Sequence, residues 1–72
     1  MSGEDAFQVE GVVLSVVSPR ACRLRLANGH EVLGFMTRRT QESLGKPRVG
    51  QWFRLQMSPF DLSEGRIIGV KE

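Results

Sequence analysis

The amino-acid sequence predicts an all-β protein, a small barrel of five strands. Short segments rich in valine and leucine, some with strict alternation of apolar and polar residues, are separated by Gly, Pro and Asn. One stretch, residues 37–50, lacks this period of two and fits a short helix or loop. The chain of 72 residues allows a single domain, residues 1–72, with a thin core and little room for a deep pocket.

The first two strands are predicted on either side of a proline turn. The valine-rich run Phe7–Val17 predicts one long strand, in which Gly11 marks a bend or a close approach of another backbone. The polar residues before it, 1–6, are expected to be flexible. Ser18–Arg20 predicts a turn because Pro19 biases Ser18 away from helix. The second strand alternates clearly, with one face formed by Cys22, Leu24 and Leu26 and the other by Arg23 and Arg25.

A tight hairpin is predicted between the second and third strands. Asn28 and Gly29 both tolerate positive φ, which a type I′ turn requires, and His30–Met36 then returns as the third strand. Thr37 or Thr40 is expected to cap a short helix that Gly45 ends.

The last two strands follow this helix. In the fourth, Gln51–Met57, the side chains of Phe53, Leu55 and Met57 face one way and those of Trp52, Arg54 and Gln56 the other. Phe60–Gly65 is predicted as a loop or one helical turn capped by Asp61, and Arg66–Val70 as a short fifth strand. Five strands with a helix between the third and fourth predict a Greek-key OB-fold barrel, with an SH3-like barrel as the alternative.

Charge is distributed unevenly along a chain whose net charge is only +2. Residues 1–10 carry three acids and no base, whereas residues 37–54 carry five bases and one acid. The basic segment favours a polyanionic partner, although solvated loop charges explain any single residue equally well. One cysteine, Cys22, excludes an internal disulfide, and no apolar run is long enough for a membrane helix, so a cytoplasmic protein is expected.

The polar strand faces offer the chemistry of nucleic-acid binding. OB barrels bind single-stranded or irregular nucleic acid across strands two and three, where arginines meet phosphates and aromatic rings stack on bases. Arg23 and Arg25 on strand two, Phe35 on strand three, and Trp52 with Arg54 on strand four are the candidates. Rim packing of the rings, and a solvated strand face for the arginines, are the alternatives.

Catalytic and cofactor-binding patterns are lacking in the sequence. His30 is the only histidine, Cys22 alternates with leucines, and no cluster has the spacing of metal ligands. A glycine-rich phosphate loop is also missing. The sequence therefore predicts a protein that is not an enzyme and uses no metal or other cofactor.

Two strings of residues resemble a known family. NGHEVLGFM, residues 28–36, resembles the hairpin and third strand of bacterial translation initiation factor one. MSPFDLSEGRII, residues 57–68, resembles its fourth loop and fifth strand, and the length fits without gaps. The resemblance implies an S1-like OB-fold, monomeric, cytoplasmic protein without catalytic activity. It also implies binding to ribosomal RNA at the decoding (A) site of the small ribosomal subunit, contact with a neighbouring ribosomal protein, and cooperation with the other initiation factors.

Several residues match family positions. Three residues match family residues of the same type: Arg23, His30 and Arg66. In the RNA-contacting loop, Arg39 stands where the family has a lysine, and Lys46 stands where it has an arginine. Phe60 replaces the usual tyrosine, so the ring is kept and the hydroxyl is lost. Together with the residues of the strand faces, the candidate RNA contacts are Arg23, Arg25, His30, Phe35, Arg38, Arg39, Lys46, Arg48, Arg54, Phe60 and Arg66.

The departures from the family pattern fall where RNA contacts are expected. Gln41 and Glu42 replace two basic residues of the loop, and Phe35 replaces a histidine that often precedes this loop. The C-terminus ends in Glu72 rather than in a basic tail. Each lost phosphate contact weakens affinity and its dependence on salt. A divergent second copy of the factor, a protein–protein adaptor and a general RNA chaperone therefore stand as alternatives.

Overall fold

The computed structural model describes residues 6–71. Of the N-terminal segment predicted to be flexible, residues 1–5 lie outside this range, as does Glu72. Residues 6–71 form five strands and one helix in the predicted order. They are β1 (Phe7–Ser18), β2 (Ala21–Leu26), β3 (Glu31–Phe35), α1 (Arg38–Leu44), β4 (Trp52–Ser58) and β5 (Asp61–Val70).

The strands close into a barrel in the order β1-β2-β3-β5-β4, with β4 returning to β1. All pairs are antiparallel except β3 with β5, which run parallel with Leu33, Gly34 and Phe35 opposite Glu64, Gly65 and Arg66. This order, with a helix between β3 and β4, is that of the OB fold. The predicted fold class is confirmed, and the SH3-like alternative is wrong.

The core is one layer of apolar side chains inside the barrel. β2 and β4 contribute every second residue, as the alternation predicts. In β1 the register shifts between Val13 and Ser15, and this bulge explains why Val12-Val13-Leu14 breaks the alternation. Gly11 is buried, and a Cβ there would lie 3.2 Å from the Arg25 carbonyl oxygen, so the expected close approach is confirmed. The core cluster comprises Val13, Cys22, Leu24, Leu26, Val32, Met36, Phe53, Leu55, Met57 and Ile67.

The β2–β3 turn differs from the predicted type I′ turn. Only Gly29 has positive φ, at 89°, and Asn28 does not. The Gly29 amide donates to the Leu26 carbonyl, and the Leu26 amide donates to the His30 carbonyl, so the loop has three residues, 27–29. This pattern is a type I turn followed by a left-handed glycine. The Asn28 side chain favours it because its Oδ1 accepts the His30 amide at 2.9 Å.

Helix α1 lies between β3 and β4, as predicted, and covers one end of the barrel. Thr37 is the N-cap and its Oγ1 accepts the Thr40 amide at 3.1 Å, while Gly45 ends the helix with a φ of 83°. Gln41 donates a hydrogen bond to the Pro19 carbonyl, which attaches α1 to the β1–β2 turn. Within residues 6–71 no helix is long and apolar enough to cross a membrane.

The fifth strand is longer than predicted. Residues 60–65 were expected to form a loop or a helical turn, but β5 begins at Asp61 and pairs there with Ser58. The prediction is wrong because residues 61–64 are all exposed, so they show no alternation by which a strand is recognised. Asp61 does accept hydrogen bonds from Ser63, but these bonds shape the start of a strand rather than cap a helix.

Candidate nucleic-acid interface

A row of side chains crosses the outer face of β3, β5 and β4. Phe35 lies opposite Arg66, and Arg66 lies opposite Gln56. The guanidinium of Arg66 donates from Nη2 to Oε1 of Gln56 at 3.2 Å. This bond orients Arg66 without neutralising it, because its partner is an uncharged amide. The row therefore presents an exposed ring beside an exposed, oriented cation.

The row forms part of a cleft of about 360 Å³. One wall comes from the end of β3 and the start of the helical segment, and the other from the β4–β5 hairpin. The lining residues are Phe35, Met36, Thr37, Gln56, Ser58, Asp61, Glu64, Gly65 and Arg66. Its two carboxylates, one guanidinium and several neutral donors and acceptors suit a planar group with a hydrogen-bonding edge better than a bare phosphate.

Basic residues concentrate at the end of the barrel that carries α1 and the β1–β2 turn, which we call the helix end. Residues 18–21 and 36–51 contain five bases and one acid, Glu42. Arg38 and Arg39 form the first turn of α1, and Lys46 and Arg48 follow it in the loop before β4. All four are exposed. Such a one-sided charge attracts a polyanion to this end.

The opposite end of the barrel, formed by the β2–β3 and β4–β5 turns, has the reverse character. We call it the hairpin end. Residues 7–9, 26–31 and 57–63 contain two acids, Glu31 and Asp61, and no lysine or arginine. Hydrogen bonds from the Ser63 hydroxyl, at 2.6 Å, and from its amide hold the pKa of Asp61 below its ordinary value. The barrel thus has a basic end and an acidic one.

Two of the candidate arginines lie opposite acidic residues in the strand pairs. Arg25 lies opposite Glu31 with its Nη2 at 3.5 Å from the carboxylate, and Arg54 lies opposite Glu10 in the β1–β4 pair. Arg23, by contrast, is exposed and pairs with Leu33 on the face of β3 that also carries Phe35. The predicted contacts therefore do not form one patch: Arg23 lies near the cleft row, whereas Arg25 and Arg54 have acidic neighbours.

The aromatic candidates differ in accessibility. Phe60 is the most exposed, at 84%, in the tight turn between β4 and β5, whereas Phe35 is 39% exposed in the cleft. The Trp52 ring is covered by the Lys71 ammonium, 4.7 Å from its centroid, and Lys71 also lies 3.7 Å from the Glu10 carboxylate. Of the two rings expected on the strand faces, Phe35 is therefore better placed for stacking.

His30 and Cys22 are engaged within the fold. The His30 Nε2 is 2.9 Å from the Leu62 carbonyl oxygen, so its ring faces β5. Cys22 is fully buried in the core, and this burial raises the pKa of its thiol to about 11. A buried thiol of this kind is a packing residue, as its alternation with leucines predicts.

The polar residues that complete the cleft are not marked by any pattern in the sequence. Thr37 caps α1, Gln56 lies in β4, and Asp61 and Glu64 lie in β5, so these residues meet only through the β3–β5 and β4–β5 pairings. The one available signal was the position of Gln56 beside Trp52 and Arg54 on the polar face of β4. The candidate residues Phe35 and Arg66 are brought together by the fold, at one register position.

The strand order of the barrel and the position of α1 define an OB-fold protein. Solved structures of known proteins indicate which OB-fold proteins it is similar to. No family model matches the sequence. The solution structure of translation initiation factor one from the Wolbachia endosymbiont, strain TRS, of Brugia malayi is similar with a TM-score of 0.72. The match covers 96% of this chain and 82% of that chain, with 27% of residues identical. The chain therefore has the OB fold of initiation factor one, as its sequence resemblance implied.

Proposed function

We propose that this protein is a translation initiation factor that binds the decoding site of the small ribosomal subunit through ribosomal RNA. The observation that carries the proposal is the likeness to an initiation factor along 96% of the chain, at 27% identity. The protein acts by occupying the site, without catalysis and without a cofactor. It works in the cytoplasm as a single-domain monomer, beside a neighbouring ribosomal protein and the other initiation factors.

The charge distribution supports an oriented approach to RNA. The basic helix end faces the phosphates, and the acidic hairpin end faces away from them. Four basic residues of the helix end then contact the RNA backbone and position the protein on it. They are Arg38, Arg39, Lys46 and Arg48. The cleft row adds a stacking ring, Phe35, and an oriented donor, Arg66. Stacking contributes roughly 1–3 kcal/mol per base.

Ribosome binding is expected to be weaker and less salt-dependent than that of a factor with a fully basic loop. Gln41 and Glu42 follow the two arginines in α1, and Arg25 lies within 3.5 Å of Glu31. Each missing phosphate contact lowers the slope of log K against log salt by about 0.7–0.9.

Co-sedimentation with isolated small ribosomal subunits tests the proposal. The protein is added at low and at moderate salt, with and without the other initiation factors. We expect saturable binding of one protein per subunit that weakens with salt. Binding to unstructured RNA oligonucleotides with equal affinity would instead indicate a general RNA chaperone, and no binding in any condition would leave only the adaptor alternative.

Single charge removals refine the test. Arg39→Ala and Arg66→Ala are expected to weaken binding and to lower the salt slope by about one unit if each contacts a phosphate. Lys71→Ala removes the same charge from a residue engaged with Trp52 and Glu10, and serves as the matched control. Equal losses for all three variants would indicate that only overall charge matters.

A further inference from the structure

The imidazole of His30 links two parts of the barrel that are distant in sequence. Its Nε2 lies 2.9 Å from the carbonyl oxygen of Leu62, 32 residues further along the chain. A carbonyl oxygen only accepts hydrogen bonds, so Nε2 carries the hydrogen. The bond therefore connects the β2–β3 turn to the beginning of β5.

The turn holds this imidazole in a defined place. The His30 amide donates to Oδ1 of Asn28 at 2.9 Å, and the His30 carbonyl accepts from the Leu26 amide at 2.8 Å. A third bond, from the Gly29 amide to the Leu26 carbonyl at 2.9 Å, closes the turn. The side chain thus projects from a backbone whose donors and acceptors are already engaged.

The segment that His30 contacts is paired with a neighbouring strand on one side only. β5 pairs with β3 only from Glu64 onward, whereas its first residue, Asp61, pairs with Ser58 of β4. Residues 61–63 therefore lie beyond the described β3–β5 pairs. The His30–Leu62 bond extends the attachment of β5 to the β2–β3 side of the barrel by two residues.

The same hairpin builds one wall of the cleft described above. Ser58, Asp61 and Glu64 line it together with Phe35, while His30 and Leu62 lie outside its lining. We infer that His30 is a positioning residue, which fixes the β4–β5 hairpin through the Leu62 carbonyl and so sets the width of the cleft. Its effect on binding rests on the proposed function. This role differs from the direct RNA contact that the family resemblance implies for His30.

Two substitutions separate positioning from contact. His30→Gln keeps a neutral N–H donor at about the reach of Nε2, whereas His30→Leu keeps apolar volume and removes the donor. We expect His30→Leu to weaken binding to small ribosomal subunits about three- to tenfold, the effect of one neutral hydrogen bond, and His30→Gln to restore most of it. The slope of log K against log salt stays unchanged in both, because no phosphate contact is lost. A lower slope in both variants would overturn the inference.

Hydrogen exchange tests the same link without RNA. In His30→Leu the amides of residues 60–63 should exchange faster than in the wild type and in His30→Gln. The Met36 amide, which donates to the Arg20 carbonyl at the helix end, is the internal control. Unchanged exchange at 60–63 would overturn the inference even if binding weakened. If exchange responds as expected but the wild type does not bind subunits, the proposed function fails and the positioning role of His30 stands. Nitrogen-15 NMR of the wild-type imidazole should show the hydrogen on Nε2, and the other neutral tautomer would contradict the link.

Discussion

A single methyl group at Gly34 is expected to strain the junction of β3 with β5. Gly34 lies opposite Gly65 in the only parallel strand pair described between residues 6 and 71. A Cβ at position 34 would overlap Cδ1 of Leu24 and would lie 3.2 Å from Cδ1 of Ile67. Both neighbours are fully buried, so neither side chain has free space into which to move.

The cost follows from two opposing effects. Overpacking of a filled core costs about 1–3 kcal/mol, whereas replacing Gly by Ala recovers about 0.4–1 kcal/mol by restricting the unfolded chain. Gly34→Ala should therefore lower the free energy of unfolding by about 1–2 kcal/mol. For a domain of this size this corresponds to a fall in Tm of about 5–15 °C.

Gly69→Ala is the matched control. No atom lies within 4 Å of a Cβ built at Gly69, and its φ is not positive, so this variant should be as stable as the wild type or slightly more stable. Urea unfolding followed by circular dichroism compares the two variants. Adding Leu24→Val to Gly34→Ala should recover part of the loss, because it shortens the side chain that the new methyl group meets. Equal stability of Gly34→Ala and Gly69→Ala would refute the packing argument.

Three further predictions concern α1, the cleft and the core. Thr37→Ala removes the cap and should reduce the free energy of unfolding by about 0.5–2 kcal/mol, measured by urea unfolding, and an unchanged midpoint would contradict the cap. Phe35→Leu should cost roughly 1–3 kcal/mol in binding to small ribosomal subunits if one base stacks there, while Tm stays nearly constant; unchanged affinity would exclude stacking. Cys22 should react with a thiol reagent at pH 8 about a hundredfold more slowly in the folded than in the urea-unfolded protein. The reason is that its side chain is buried and its pKa is raised from 9.0 to about 11. Equal rates would contradict its burial. The folded state holds the proton of the Cys22 thiol more tightly than the unfolded state does. The stabilisation from this difference in pKa is therefore fully present below pH 9 and is lost as the pH rises towards 11.

Local patterns in the sequence predicted most of the elements correctly. The alternation of Leu24 with Arg23 and Arg25 fixes the faces of β2, and the Thr37–Gly45 interval marks the helix. Two local predictions were wrong. Asn28 tolerates positive φ but does not need it, because its side chain stabilises a three-residue loop, and the first half of β5 has no buried face to produce a pattern.

The candidate site was less predictable because it depends on strand register. Phe35 and Arg66 are far apart in sequence and meet only through the parallel pairing of β3 with β5. The acidic residues opposite Arg25 and Arg54 likewise come from neighbouring strands. Residue type alone identified which side chains suit RNA, but it carried no information on which of them lie together or which are engaged by a carboxylate.

The first turn of α1 connects folding to binding in a way that constrains engineering of this protein. Arg38 and Arg39 occupy the end of the helix where backbone N–H groups are unpaired, and the turn contains no acidic residue to balance them. Cations at this end oppose the helix dipole by about 0.3–1 kcal/mol each. Replacing them by glutamates should therefore make the isolated protein more stable while reversing the charge offered to RNA. A screen that selects variants for thermal stability alone would be expected to discard the two arginines on which the proposed function depends.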